Sequence, residues 1–242
     1  MILDIPWLLA LACVAMVFVG AVVQGTLGIG LGMIASPLLA LADRDFIPGA
    51  ILIAVIPLSL GIALRERGHI DRRGAGVALV GRVPGAIVGA VAVALTGPRF
   101  LAVLVGVSVL AAVAASLASV RFRTTDRAVF VAGMASGFTG TTTGVGGPPM
   151  ALTYQHSDPA VMRSTISAFF TVGSIMSIAA LAVSGAMGVR QWQLAGLLVP
   201  GVVVGFLVSQ HYARFLRNER ARIAILSICA ASAVALLVEE FT

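Results

Sequence analysis

The sequence predicts an all-α polytopic membrane protein made of two inverted repeats, each a broken-helix hairpin followed by three transmembrane helices. Three observations carry that prediction. First, apolar runs of membrane-spanning length recur along a 242-residue chain that is 59% hydrophobic and 11% charged, with a mean hydropathy of +1.05; a span needs roughly 20 such residues. Second, two of these runs are interrupted by glycine-rich breaks. Third, the two halves register on each other at a fixed offset, and the loop arginines fall where inverted halves would put them.

In chain order, the run from Pro6 to Ala42 is 37 residues long, and as one helix would extend about 55 Å. That is too long for a straight crossing. It is broken at Gln24-Gly-Thr-Leu-Gly-Ile-Gly-Leu-Gly32, so 6–42 reads as a hairpin. Spans follow at 46–64, 75–96 and 99–119, closing a first repeat over 1–120. Residues 121–127 form an arginine-bearing linker. The second repeat, 128–242, opens with a hairpin over 128–156 and continues with spans at 162–185, 192–212 and 222–240.

The second break is Ser136-Gly-Phe-Thr-Gly-Thr-Thr-Thr-Gly-Val-Gly-Gly-Pro-Pro-Met-Ala-Leu152. Glycines permit backbone angles closed to other residues, and Pro148 and Pro149 cannot donate backbone hydrogen bonds. Proline is at home just inside a helix start. The stretch therefore reads as a helix over about 128–140, a non-helical crossing of threonines and glycines, and a second half-helix from about Pro148. A non-helical crossing at membrane depth must be buried in protein or line a wet cavity. A half-helix beginning there would aim N–H groups and a partial positive charge inwards, which suits an anion. The competing reading is close helix packing through small-xxx-small spacing such as Gly140-xxx-Gly144. Two consecutive prolines do not serve packing, so the block as a whole favours a site.

An offset of 116 places Gly28-Ile29-Gly30 on Gly144-Val145-Gly146, Thr26 on Thr142, Val83-Pro84-Gly85 on Val199-Pro200-Gly201, and Gly89 on Gly205. Matches at one offset, more than 50 residues apart, identify a duplicated half. Orientation follows from arginine in short loops. If each broken run were one crossing, the loop arginines would divide 8 to 7 between the two sides. If each is a hairpin returning to its own side, they divide 12 to 3, with loops 65–73, 120–127 and 213–222 cytoplasmic and both termini outside. Inverted repeats with broken helices place substrate near the midplane, where the breaks meet.

Every one of the 16 basic residues is arginine. The basic balance fits loops beside anionic lipid and not nucleic-acid binding. Cys13 and Cys229 lie in separate apolar helices, and no histidine or cysteine cluster has ligand spacing, so neither metal nor cofactor is expected. The first 43 residues carry no basic residue and Asp4 is acidic, against a signal peptide. No nucleophile and base occur at a workable spacing, which argues against an enzyme.

Candidate substrate-binding residues are Gln24, Thr26, Gly28, Gly30 and Gly32 in the first break, and Thr141, Thr142, Thr143, Gly144, Gly146 and Gly147 in the second. Arg82 joins them because an arginine within a span is costly and marks function by default; the alternative is a side chain snorkelling to the interface. Its repeat-mate is Leu198. Gln24 would contact substrate or close its hairpin. Tyr154 and His156 end the second hairpin and are candidates for a gate or proton carrier, with a plain interfacial belt as the alternative.

Gly-Thr-Leu-Gly-Ile-Gly-Leu-Gly (25–32) with Pro37-Leu38, Gly-Thr-Thr-Thr-Gly-Val-Gly-Gly-Pro-Pro-Met-Ala-Leu (140–152) and Arg163-Ser-Thr resemble the sulfite exporter TauE/SafE family of membrane transporters. Leu31 stands where many relatives carry glycine. The resemblance runs the length of the chain, and implies transport of a small sulfur-containing anion, sulfite or an organosulfonate such as sulfoacetate. The expected function is a secondary transporter in the cell inner (cytoplasmic) membrane, exporting its anion by alternating access. An anion channel on the same scaffold, or a non-transporting membrane scaffold, are the other readings. Glycine faces such as Gly85-xxx-Gly89 would allow a homodimer.

Overall fold

The computed structural model describes residues 3–117, 124–212 and 219–242. Among these residues ten α-helices follow one another: α1 (Trp7–Leu27), α2 (Leu31–Ala42), α3 (Gly49–Arg65), α4 (Arg72–Leu95), α5 (Pro98–Leu117), α6 (Asp126–Thr143), α7 (Gly147–Tyr154), α8 (Pro159–Val183), α9 (Val189–Tyr212) and α10 (Glu219–Phe241). The chain is all-helical among the described residues, and α1, α4, α5, α8, α9 and α10 are long and apolar enough to cross a membrane. The expected helices are present to within a few residues, but α3, expected as a span over 46–64, has 17 residues and is shorter than the six that are long enough to cross. α4, α8, α9 and α10 each start three residues earlier than hydropathy suggested, and in α4 and α8 an aspartate caps the start: Asp71 accepts from the Gly74 amide, and Asp158 from that of Ala160.

Both breaks are hairpins, and side-chain contacts close each at its own end of the bundle. Asp4 precedes α1 and Asp43 follows α2, and both pair with Arg190 at the start of α9, at 3.8 Å and 2.6 Å. At the opposite end, Thr124 donates to the Thr153 carbonyl at 2.7 Å and the Tyr154 hydroxyl to Asp71 at 2.8 Å, while Arg73 pairs with Asp126 at 2.6 Å. The arms are unequal. At 1.5 Å per residue α1 and α6 are roughly 32 Å and 27 Å long, and the return arms α2 and α7 only about 18 Å and 12 Å.

The breaks are narrower than the sequence suggested. Each is three residues, Gly28–Gly30 and Gly144–Gly146, between helices. Gly28 and Gly144 end their first arms in the left-handed region, at φ 88° and 74°, each amide bonding back to a carbonyl four residues earlier. Thr141, Thr142 and Thr143 are therefore the last turn of α6 and not a loop. Buried hydroxyls must find acceptors, and those of Thr142 and Thr143 take the carbonyls of Phe138 and Thr139 within their own helix.

The packing exchanges partners between the halves. α1 lies on α9, and α4 on α6, in parallel pairs so tight that a Cβ at Gly81, Gly85 or Gly133 would strike the facing backbone. α3 lies on α8, and α5 on α10. The two parallel pairs are not in the same register. Gly85 lies against Met134, and Gly201 against Val14. Gly201 is Gly85 moved on by 116, but Met134 is Val14 moved on by 120, so one interface is slipped by about a turn. The Gly85 and Gly89 face that would have served a dimer is occupied by α6 and is not a free surface.

Candidate functional site

The breaks approach each other closely: a Cβ on Gly32 would sit on the carbonyl oxygen of Gly144, and one on Gly147 would lie 3.1 Å from Ile29. Between them is a cavity of about 30 Å³, room for about two waters. Gln24, Gly30, Gly32, Gly144, Gly146, Gly147 and Arg82 line it, with Gly140, Phe170 and Ser174 and apolar side chains of α2 and α3. Of the residues read from the sequence, Thr26, Gly28, Thr141, Thr142 and Thr143 lie outside that lining. Thr26 donates to the Val23 carbonyl, and Gly28 packs on the backbone of Arg163. Thr141 stands one contact away, sharing a hydrogen bond of 2.7 Å with Ser177.

Arg82 does not snorkel. It is the eleventh residue of α4, roughly 15 Å from that helix's start, and only 1% exposed. Nη1 donates to Ser136 at 3.4 Å and Nη2 to Ser177 at 3.1 Å. The guanidinium carbon lies 4.9 Å from the centre of the Phe169 ring, within cation–π range. Ser136 in turn donates to the carbonyl of Gly146, tying the arginine to the second break. Gly173 and Gly140 make room, since a Cβ on either would press on the guanidinium. None of the ion pairs among the described residues involves Arg82, and its Nε lacks a hydrogen-bond partner. A buried, unpaired cation is costly unless an anion comes to it.

Gln24 closes its hairpin and lines the cavity as well. Its carbonyl accepts from the Leu31 amide at 3.1 Å, and its amide reaches Ser59 at 3.4 Å. The remaining first-turn amides of α2 and α7 have no acceptor within their own helices. Pro148 and Pro149 remove two of these donors in α7, leaving Gly147 and Met150. Tyr154 is buried and bonded to Asp71, joining α7 to α4 and not forming an exposed belt; His156 is exposed, and neither lines the cavity.

The sequence reading did not single out the partners of Arg82. Ser136 lies in the quoted block but carries no obvious mark, and Ser177 sits in the apolar helix α8, as does Ser174, which lines the cavity. Their signal is the spacing of Ser167, Ser174 and Ser177, seven and three residues apart on one helical face.

The fold and this cavity define a multi-pass membrane protein with a small, cationic, glycine-rich chamber between its two helix breaks. The model of the sulfite exporter TauE/SafE family matches residues 12–236, and the chain belongs to that family. A search of curated proteins and a search of solved structures returned no match. The family is one of membrane exporters of sulfite and related sulfur anions.

Proposed function

We propose that the protein is a secondary transporter that exports a small sulfur-containing anion, sulfite or a small organosulfonate, by alternating access around the cavity between the two helix breaks. The observation that carries the site is Arg82: a buried guanidinium with no counter-ion among the described residues, facing a chamber that the glycines of both breaks line together with Gln24, Ser174 and apolar side chains. Fixed amides and one forked cation suit an oxyanion, because they are preorganised and add only one full charge.

Two inverted halves account for the closure of the hairpins at opposite ends and for the exchanged packing of α1 with α9 and α4 with α6. The arginine split of 12 to 3 assigns the Asp71 end to the cytoplasm. Of the loops in that count, residues 118–123 and 213–218 fall outside the described residues. The one-turn difference in register between the two parallel interfaces supports alternating access. Packed helices move between discrete registers, and in inverted repeats the conformation of one half previews that of the other in the opposite state. A cavity of about 30 Å³ corresponds to a closed state, and sulfoacetate would enter only after it widens.

The test is a thermal-shift screen of purified protein against sulfite, thiosulfate, sulfate, sulfoacetate and taurine, with Arg82→Met alongside, since a ligand that binds the folded state stabilises it. Stabilisation by a sulfur anion that Arg82→Met abolishes is expected. Equal shifts in both proteins would place the anion elsewhere. In proteoliposomes, saturable flux supports a transporter, and single-channel conductance would make it a channel.

A further inference from the structure

Arg163-Ser-Thr opens α8 without touching the cavity, yet it joins the elements that close the cavity at the Asp71 end. Arg163 Nε donates to both carboxylate oxygens of Glu66, at 3.0 Å and 2.9 Å, and its Nη2 pairs with the same group at 2.8 Å. Glu66 immediately follows α3. The Nη1 of Arg163 donates to the Thr26 carbonyl at 3.2 Å, at the tip of the first hairpin. Gly28, the residue that ends α1, lies so close to α8 that an added Cβ would stand 3.0 Å from the Arg163 Cα. Two residues on, Thr165 accepts from the Asp71 amide at 2.9 Å, which adds the start of α4. The Arg163 and Glu66 side chains are 20% and 14% exposed, a partly dehydrated pair and not a surface one. Phe170, the nearest cavity-lining residue of α8, is seven residues from Arg163, about 10 Å along the helix.

Among the described residues, the other end has no such device. The offset of 116 puts Ile47 where the latch has Arg163 and Ala182 where it has Glu66. There the closure is apolar, a cluster of Leu52, Ala90 and Leu181. The ion pairs at that end, Arg190 with Asp4, Asp43 and Asp45 and Arg44 with Glu240, hold the first hairpin to α9 and the turn after α2 to α10; none joins α3 to α8.

We infer that Arg163 is a positioning residue. With Glu66 it latches the tip of the first hairpin to α3 and α8, and releasing that pair opens the cavity towards the Asp71 end alone. The inference rests on the transport reading above, because a latch of this kind has a use only if the two ends open in turn. The physical asymmetry is that an ion pair is directional and holds one tip against two helices. The apolar cluster yields to any sliding that keeps its surfaces covered.

The test reads access without requiring any substrate. Ser174→Cys places a thiol in the cavity lining, in a background with Cys13 and Cys229 replaced by alanine. A membrane-impermeant maleimide is applied to each face of oriented vesicles, the faces being assigned by labelling of Gly68→Cys. Glu66→Gln and Arg163→Gln are each expected to speed labelling at least tenfold from the face that exposes position 68 and to leave the opposite face unchanged. Glu66→Asp, which retains the pair, keeps the parent rate. Unchanged labelling in both glutamine variants, or an equal rise from both faces, would overturn the latch and leave the pair a general structural contact. Glu66→Gln keeps the Arg163 bond to Thr26 and provides the reading if Arg163→Gln does not fold. The anion screen above remains a separate result: a latch that passes with no anion-dependent stabilisation would fault the transport reading alone.

Discussion

Arg82 and Ser177 are 95 residues apart in sequence and meet at the centre of the molecule, the Nη2 of one donating to the hydroxyl of the other at 3.1 Å. Ser177 shares its second contact with Thr141 at 2.7 Å, so a single hydroxyl joins α4, α8 and α6 beside the cavity. The guanidinium is thereby held in one orientation, with no carboxylate among the described residues to neutralise it, and the effect of replacing it can be measured.

Arg82→Met removes the charge and keeps much of the stem. Losing a charge-assisted hydrogen bond to the anion is expected to weaken apparent affinity in vesicles by about 10- to 150-fold, from roughly 1.5–3 kcal/mol. Arg82→Lys keeps charge but not the fork that reaches Ser136 and Ser177 together, and should fall between methionine and wild type. Near-wild-type affinity for Arg82→Met would remove this residue from the site.

Gly146 lines the cavity, where an added Cβ would meet the Ser136 carbonyl at 3.0 Å. Gly146→Leu is expected to abolish anion-dependent stabilisation and transport while the protein still inserts in the membrane. Normal transport by that variant would mean that the anion does not pass between the breaks, and would return these glycines to a packing role.

Gly68 and Gly97 both face open space, at opposite ends of the bundle. The arginine distribution predicts that Gly97→Cys is labelled by an impermeant reagent in intact cells, and Gly68→Cys only after permeabilisation. The reverse pattern would invert the molecule in the membrane. Labelling of both from outside would argue against the hairpin topology.

The slipped register of α4 on α6 predicts a second conformation in which α6 moves by one turn, about 5.4 Å. Val80 and Val131 are exposed on α4 and α6 and accept spin labels without entering the core. Distance distributions between them should show two populations whose ratio changes with the transported anion. One population, unmoved by any anion that stabilises the protein, would exclude sliding at this interface.

Much of the architecture was legible in one dimension. The interrupted run before Ala42 and the proline-glycine block before Leu152 announced hairpins because backbone that cannot be helical has few permitted places in a bilayer. Arg82 stood out because a charge within an apolar span demands a reason. The threonines were misleading for an equally physical cause. In a dry helix a threonine hydroxyl satisfies itself on the carbonyl four residues back, as Thr142 and Thr143 do on Phe138 and Thr139, so a polar side chain beside a break need not face the cavity.

By itself the sequence determined the class and the order of the helices and breaks, and raised the expectation of duplicated halves and sided loops. These depend on quantities written along the chain: the length of apolar runs, the positions of glycine and proline, and the count of arginines. Only the tertiary structure decided which buried groups converge. Ser136 and Ser177 reach Arg82 across 54 and 95 residues, and Arg163 reaches Glu66 across 97. A one-turn slip of α4 on α6 would alter which side chains stand opposite one another without changing a single helix boundary. The register is set by where glycines let two backbones touch, a property of paired surfaces that neither helix carries alone.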